Sequence, residues 1–224
     1  MWYEQLQPGR SWASLWSGYV MCGECGGIRT LDSKCPACGD PELSVTKIAM
    51  PMPDGTKQMT ALPFMGAEGR YEDWIYLQLL EREWKRPVEA SDQEVTNGLT
   101  ARAAIVLVFW TYFETRIERL LQCSMQHISE PIAKDLLCRY NSIGSRLNKL
   151  YKLLFSLNYW EELEQLGFKD IAVLLKQVHE KRNEFVHGDP ESIDDTLVTN
   201  LVKALQQEHE SWIAAFNKRA TRKQ

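Results

Sequence analysis

The sequence predicts a mainly helical protein with a small β-type metal module at its N-terminus. Three observations predict it. Four cysteines fall as Cys22-x-x-Cys25 and Cys35-x-x-Cys38 in a stretch rich in Gly, Pro and Trp. From about residue 61 onward, apolar residues recur every three or four positions, the period of a buried helix face. A helix over about 168–186 ends at Gly188 and Pro190, a left-handed stop followed by a residue that cannot continue a helix. Composition divides the chain into residues 1–60, a connecting stretch 61–90 with one helix, and a helical domain 91–224.

Taken in order, Gly18–Met21 and Leu43–Ile48 read as short strands on either side of the cysteines. Met50-Pro51-Met52-Pro53-Asp54-Gly55 reads as a break, a linker or turn. Tyr71–Lys85 is a helix with Trp74, Ile75, Leu77, Leu79 and Leu80 on its apolar side, ended by Pro87. Ser91-Asp92-Gln93-Glu94 has the form of a capping box, with Gly98 marking a kink or a later start. The long helix after it buries Ile105, Val108, Phe109, Tyr112, Phe113, Ile117, Leu120 and Leu121. Helices over 131–140, 143–156 and 168–186 follow, and Ser192-x-x-Asp195 opens a last one through Leu197, Leu201, Leu205, Trp212 and Phe216.

Composition excludes several classes of function. The formal net charge of −4 argues against a broad DNA-coating surface, though a local basic groove depends on where charge lies. No run of eighteen apolar residues is present, so no membrane partner is expected. Met1–Gln5 lacks the basic flank and apolar core of a signal peptide, which makes the cytoplasm the expected location.

Each C-x-x-C pair sets two thiolates on one tight turn, and two such turns make the tetrahedral four-sulfur site that zinc prefers. Cys22, Cys25, Cys35 and Cys38 are therefore the expected metal ligands, in a site that resembles a zinc ribbon; iron is the rival metal. The remaining Cys123 and Cys138 lie among apolar residues and read as buried thiols. The ribbon either staples a segment too small for its own core or recognises nucleic acid or protein. Trp2, Trp12, Trp16 and Tyr19 either stack on bases or pack against the helices.

The run Arg182-Asn183-Glu184-Phe185-Val186-His187 lies at the end of a helix. Arginine holds a phosphate through its planar, permanently charged fork, and histidine moves protons near neutral pH. RNA carries its own nucleophile, the 2′-hydroxyl, so this pair can cleave it without a metal. The structural alternative is a surface arginine and a histidine at a helix C-terminus.

The R-N-x3-H spacing and its helical setting resemble HEPN domains, small helical proteins that include many metal-independent ribonucleases. Thr111–Ile117 is similar to an early HEPN helix whose acidic residue faces the motif, which makes Glu114 a candidate to hold Arg182. The resemblance covers roughly Ser91–Lys218 and implies a HEPN-like bundle with Arg182, Asn183, His187 and Glu114 in the catalytic site. It implies a homodimer with a composite cleft, an RNA substrate, and a toxin or phage-defence role with an antitoxin or regulatory protein as partner. Asp189 stands where HEPN toxins silenced by nucleotidylation commonly carry a tyrosine, so that control is not expected. His179 lies one turn before Asn183 and so near the same cleft, whereas His127 and His209 sit in polar surroundings and read as surface residues. The competing expectations are a non-catalytic nucleotide-, RNA- or protein-binding HEPN module and, more distantly, a DNA-associated regulator using the ribbon.

Overall fold

The computed structural model describes residues 12–16, 18–30, 32–41, 47–61, 72–89 and 100–221. The expected capping box at Ser91–Glu94, Gly98 and Trp2 lie outside these. A 3-10 turn over Trp12–Trp16 comes first, then β1 (Tyr19–Met21) and β2 (Ile28–Thr30), an antiparallel pair with Val20 opposite Arg29. A second hairpin joins β3 (Lys47–Pro51) to β4 (Lys57–Ala61). The proline-rich stretch read as a break is thus partly strand. Pro51 ends β3 opposite Lys57, and Gly55 at φ +83° turns the chain between them. The Asp54 carboxylate accepts from the Thr56 N–H at 2.9 Å, the local bond that makes Asp-Gly a turn.

Seven helices follow among the described residues: α1 (Glu72–Lys85), α2 (Ala103–Ser124), α3 (Glu130–Arg139), α4, α5 (Tyr159–Gln165), α6 (Lys169–Val186) and α7 (Asp195–Arg219). The fourth, α4, runs from Ile143–Ser145 through a π-helical turn at Arg146–Leu150 into Tyr151–Phe155. α5 adds to the helices expected from periodicity; Asn158 and Glu161 form a reciprocal capping box at its start. α7 is capped by Asp194, whose carboxylate accepts from the Leu197 N–H at 2.7 Å. Ser192, the expected cap, instead donates to the carbonyl of Lys181 at 2.9 Å and closes a 3-10 turn over Pro190–Ser192. No helix among the described residues is long and apolar enough to cross a membrane.

The centre of the core is α2. Ile105, Val106, Phe109, Trp110, Phe113, Ile117, Leu120 and Leu121 are buried, covering more of the helix than one apolar stripe. Two arginines are buried on the same helix, each with a carboxylate from a different helix. Arg116 donates through Nη2 to both oxygens of Glu208 on α7 at 2.6 and 2.7 Å, and Arg119 donates to Asp73 on α1 at 2.5 Å. Such pairs fix which helices meet, because a buried charge that lost its partner would cost several kcal/mol.

Trp12, Trp16 and Ile28 from the N-terminal part join this same core. Of the aromatics named as stacking candidates, Trp12 and Trp16 are packed inside and Tyr19 is half-buried; the Trp16 indole donates to the Tyr112 hydroxyl at 3.3 Å. His209, expected at the surface, is buried edge-on against Trp16 at 4.4 Å and Tyr19 at 5.5 Å. Burial, and then the Arg116 charge, push its pKa down to about 3, so its ring is neutral and serves as core. Of the two cysteines outside the pairs, Cys123 is buried as expected and Cys138 is exposed, on an α3 that buries no residue.

Candidate metal centre and the end of helix α6

The two cysteine pairs fold into turns of the same form. In the first, the Cys22 N–H donates to the Gly27 carbonyl at 2.8 Å and the Gly26 N–H returns to the Cys22 carbonyl at 3.0 Å. In the second, Cys35 donates to Asp40 at 2.9 Å and Gly39 returns to Cys35 at 2.8 Å. Gly26 and Gly39 occupy the same left-handed position, at φ +73° and +76°. The turns bring the four sulfurs within 4.8 Å of one another, with Cys22 3.8 Å from Cys38 and Cys25 3.6 Å from Cys35. Zinc–sulfur bonds of about 2.3 Å in a tetrahedron require edges of about 3.8 Å, so the cluster fits a four-coordinate ion.

The electrostatics point the same way. Burial pushes the Cys25 thiol well above its ordinary value, against the N–H of Gly27. At Cys22 burial is outweighed by the N–H groups of Cys25 and Glu24, which hold the thiol below its ordinary value. Four sulfurs this close become thiolates together only when a cation offsets their repulsion. These four cysteines can hold a metal ion.

Two buried side chains brace the centre, and spacing alone identified neither. Arg29 donates through Nη1 to the Asp40 carboxylate at 3.2 Å and the Pro41 carbonyl at 3.1 Å, and through Nη2 to the Ser33 carbonyl. It ties down both ends of the second turn. Asn217 on α7 receives the Ile28 N–H on Oδ1 at 2.7 Å and donates Nδ2 to the Ile28 carbonyl at 2.9 Å. A helix side chain thus takes the place of a neighbouring strand. Gly27 permits the approach: a Cβ there would lie 3.0 Å from Asn217 Oδ1 and 3.0 Å from Thr221.

At the other site, the sequence makes α6 stop beside its motif. Gly188 takes φ +101°, its N–H donates to the Phe185 carbonyl at 3.1 Å, and the Asp189 N–H reaches the Glu184 carbonyl at 3.0 Å. This is a Schellman stop. Asp189 uses its carboxylate on the Glu191 N–H at 3.2 Å, opening the 3-10 turn. The stop leaves His187 exposed as the last residue before the reversal.

Arg182 is half-buried, with Nη1 donating to Asn183 Oδ1 at 3.1 Å and Nε buried without a partner among the described residues. Glu114 on α2 makes no hydrogen bond or ion pair with Arg182; its charge acts on His179 instead. His179 lies flat on Trp110, with ring centroids 4.9 Å apart and planes 6° from parallel. Burial, and then Arg182, hold His179 below its ordinary pKa, partly offset by Glu114 and Glu180. Glu114, His179, Arg182 and Asn183 are thus gathered where α2 crosses α6, with His187 one turn beyond Asn183. Trp110 is the residue that sequence reasoning missed here; the apolar face read for this helix runs through Phe109 and Phe113 and does not include it.

Clefts of about 660, 730 and 850 Å³ lie elsewhere, and none of the three includes the α6 motif. The largest runs between the second cysteine turn and α7, lined by Tyr19, Ala37, Cys38, Ile213, Asn217 and Thr221 among others.

Together, fold and sites define a helical protein with a four-cysteine cluster, able to hold a metal ion, packed on its core. Compared with protein-family models, curated proteins and solved structures, the chain matches none.

Proposed function

We propose that the chain is an endoribonuclease that cleaves single-stranded RNA without a catalytic metal, its four cysteines holding a structural zinc. The observation that carries this reading is the end of α6. A half-buried arginine oriented by Asn183 and an exposed histidine five residues further on sit there, at the helix stop. In this site Arg182 stabilises charge on the phosphate, Asn183 orients that guanidinium, and His187 exchanges protons with the reacting oxygens. The products are a 2′,3′-cyclic phosphate and a 5′-hydroxyl. By the resemblance to HEPN domains, the protein acts as a homodimer, and a toxin or defence role follows from that analogy alone.

The test is cleavage of end-labelled single-stranded RNA in magnesium-free buffer containing a chelator too weak to strip the cysteine site. Wild type is expected to cut and leave a cyclic phosphate, with Arg182→Ala and His187→Ala each slower by about 100-fold or more. Equal cutting by all three would sink the assignment.

A non-catalytic binding module is the second reading, and the 850 Å³ cleft beside the cysteine centre favours it. Intact RNA with every variant, together with RNA retention by wild type, would select that reading.

A further inference from the structure

Cleavage by the 2′-hydroxyl needs one group to take a proton and another to return one, and the R-N-x3-H motif carries a single histidine. A second imidazole lies on the same helix. His179 precedes Arg182 by three residues and Asn183 by four, the spacings that share a helix face. The other two histidines are placed elsewhere: His209 is buried under Trp16, and His127 lies past the C-terminal end of α2.

The setting of His179 differs from that of a surface histidine. Its ring plane is fixed by the parallel stack on Trp110, 4.9 Å between centroids. On the α4 side the neighbour is Gly144, where even an added Cβ would stay 3.7 Å from the imidazole Cε1. Neither ring nitrogen bonds to another described residue, and neither belongs to the buried unpaired atoms, so both reach solvent. The charges that face it are Glu114 from α2 and Arg182 and Glu180 from α6; Gly144 on α4 brings none. A clamped, half-buried imidazole beside a guanidinium stays neutral at neutral pH, which is the form that accepts a proton.

We propose that His179 is the group that takes the 2′-hydroxyl proton, so that one chain carries both proton-transfer groups on α6. This rests on the nuclease reading above. A ring nitrogen of His179 removes the proton as O2′ bonds to phosphorus. The P–O5′ bond breaks, and O5′ leaves with a proton from His187. The cyclic phosphate and 5′-hydroxyl depart, and the two histidines then exchange protons with water, restoring the starting state. Arg182 and Asn183 lie midway between the histidines. The eight-residue interval, about 12 Å of helix rise, leaves room for a phosphodiester held by the guanidinium between them.

His179→Phe keeps an aromatic plane for Trp110 while removing both nitrogens. It is expected to retain the wild-type thermal midpoint and to cut RNA at least about 100-fold more slowly. The wild-type rate is expected to climb, from the acid side, through a pKa below the ordinary imidazole value of about 6.5, and that limb should vanish in His179→Phe. In an NMR titration with uridine 3′-monophosphate, the His179 ring signals of wild type should move. Wild-type rates in His179→Phe, alongside loss in His187→Ala, would overturn this assignment and leave the nuclease reading standing. Still ring signals on nucleotide addition would overturn it too. RNA left intact by wild type removes the nuclease reading itself, and this assignment with it.

Discussion

The cysteine centre and the end of α6 are built on opposite terms. Around the cysteines nearly every polar group is engaged. Each turn closes on itself, Arg29 spans the second turn, and Asn217 satisfies both backbone groups of Ile28. At the end of α6 the backbone is as fully bonded, but the side chains are not. His187 is exposed, Arg182 bonds only its chain neighbour Asn183 among the described residues, and His179 is held by stacking without a hydrogen bond. The first region spends its polar groups on holding its shape. The second keeps them available, as a site that binds a charged ligand must. Stability should therefore respond to substitution in the first and chemistry in the second.

The largest expected effect comes from the proposed structural zinc. Cys25→Ser, or stripping with a strong chelator, should lower stability by more than about 3 kcal/mol, because the turns lose the cation that offsets four crowded sulfurs. The melt is expected to extend into the helices, since Ile28 and Trp16 belong to the helical core. Calorimetry before and after chelation, with metal analysis of the untreated protein, checks this. A helical transition left unmoved would show that the two parts melt independently and would break the comparison.

Asn217→Ala tests the docking by itself. It leaves the Ile28 N–H and carbonyl buried without partners and should cost about 2 kcal/mol in a denaturant melt. Metal content should remain at the wild-type level, because Asn217 touches the strand and not the sulfurs.

The smallest effect on stability is expected at the proposed catalytic end of α6. Arg182→Ala and His187→Ala should each stay within about 0.5 kcal/mol of wild type, since neither side chain holds another element in place. A loss several times larger in either would mean that the motif is a structural brace, and the contrast between the two regions would fail.

How much of this was legible beforehand varied by element, for physical reasons. Spacing marked the four cysteines that the structure brings together, because a knuckle is a local turn whose sulfurs are set by residues within the same few positions. Local chemistry likewise marked the stop of α6 at Gly188. The α5 helix was just as readable, through Asn158 and Glu161, and its shortness hid it. The hairpin around Asp54-Gly55 was obscured by two prolines, of which Pro51 sits at a strand end and Pro53 in the turn. Ser192 and Asp194 compete for one cap within three residues, and propensity alone cannot rank them. Arg116, Arg119 and His209 were the harder cases. Charged and polar residues in a helix are read as surface until the carboxylates that meet the arginines, or the aromatic rings that cover the histidine, are known.

The sequence by itself determined the cysteine turns, the central apolar helix, and an arginine, asparagine and histidine at a helix end. Each depends on residues within a turn or two of one another. Only the tertiary structure decided that His209 is core, that Asn217 completes β2, and that Trp110 clamps His179 beside Arg182. Burial and pairing depend on which helices meet, and residues 69 to 193 positions apart in the chain settle those environments.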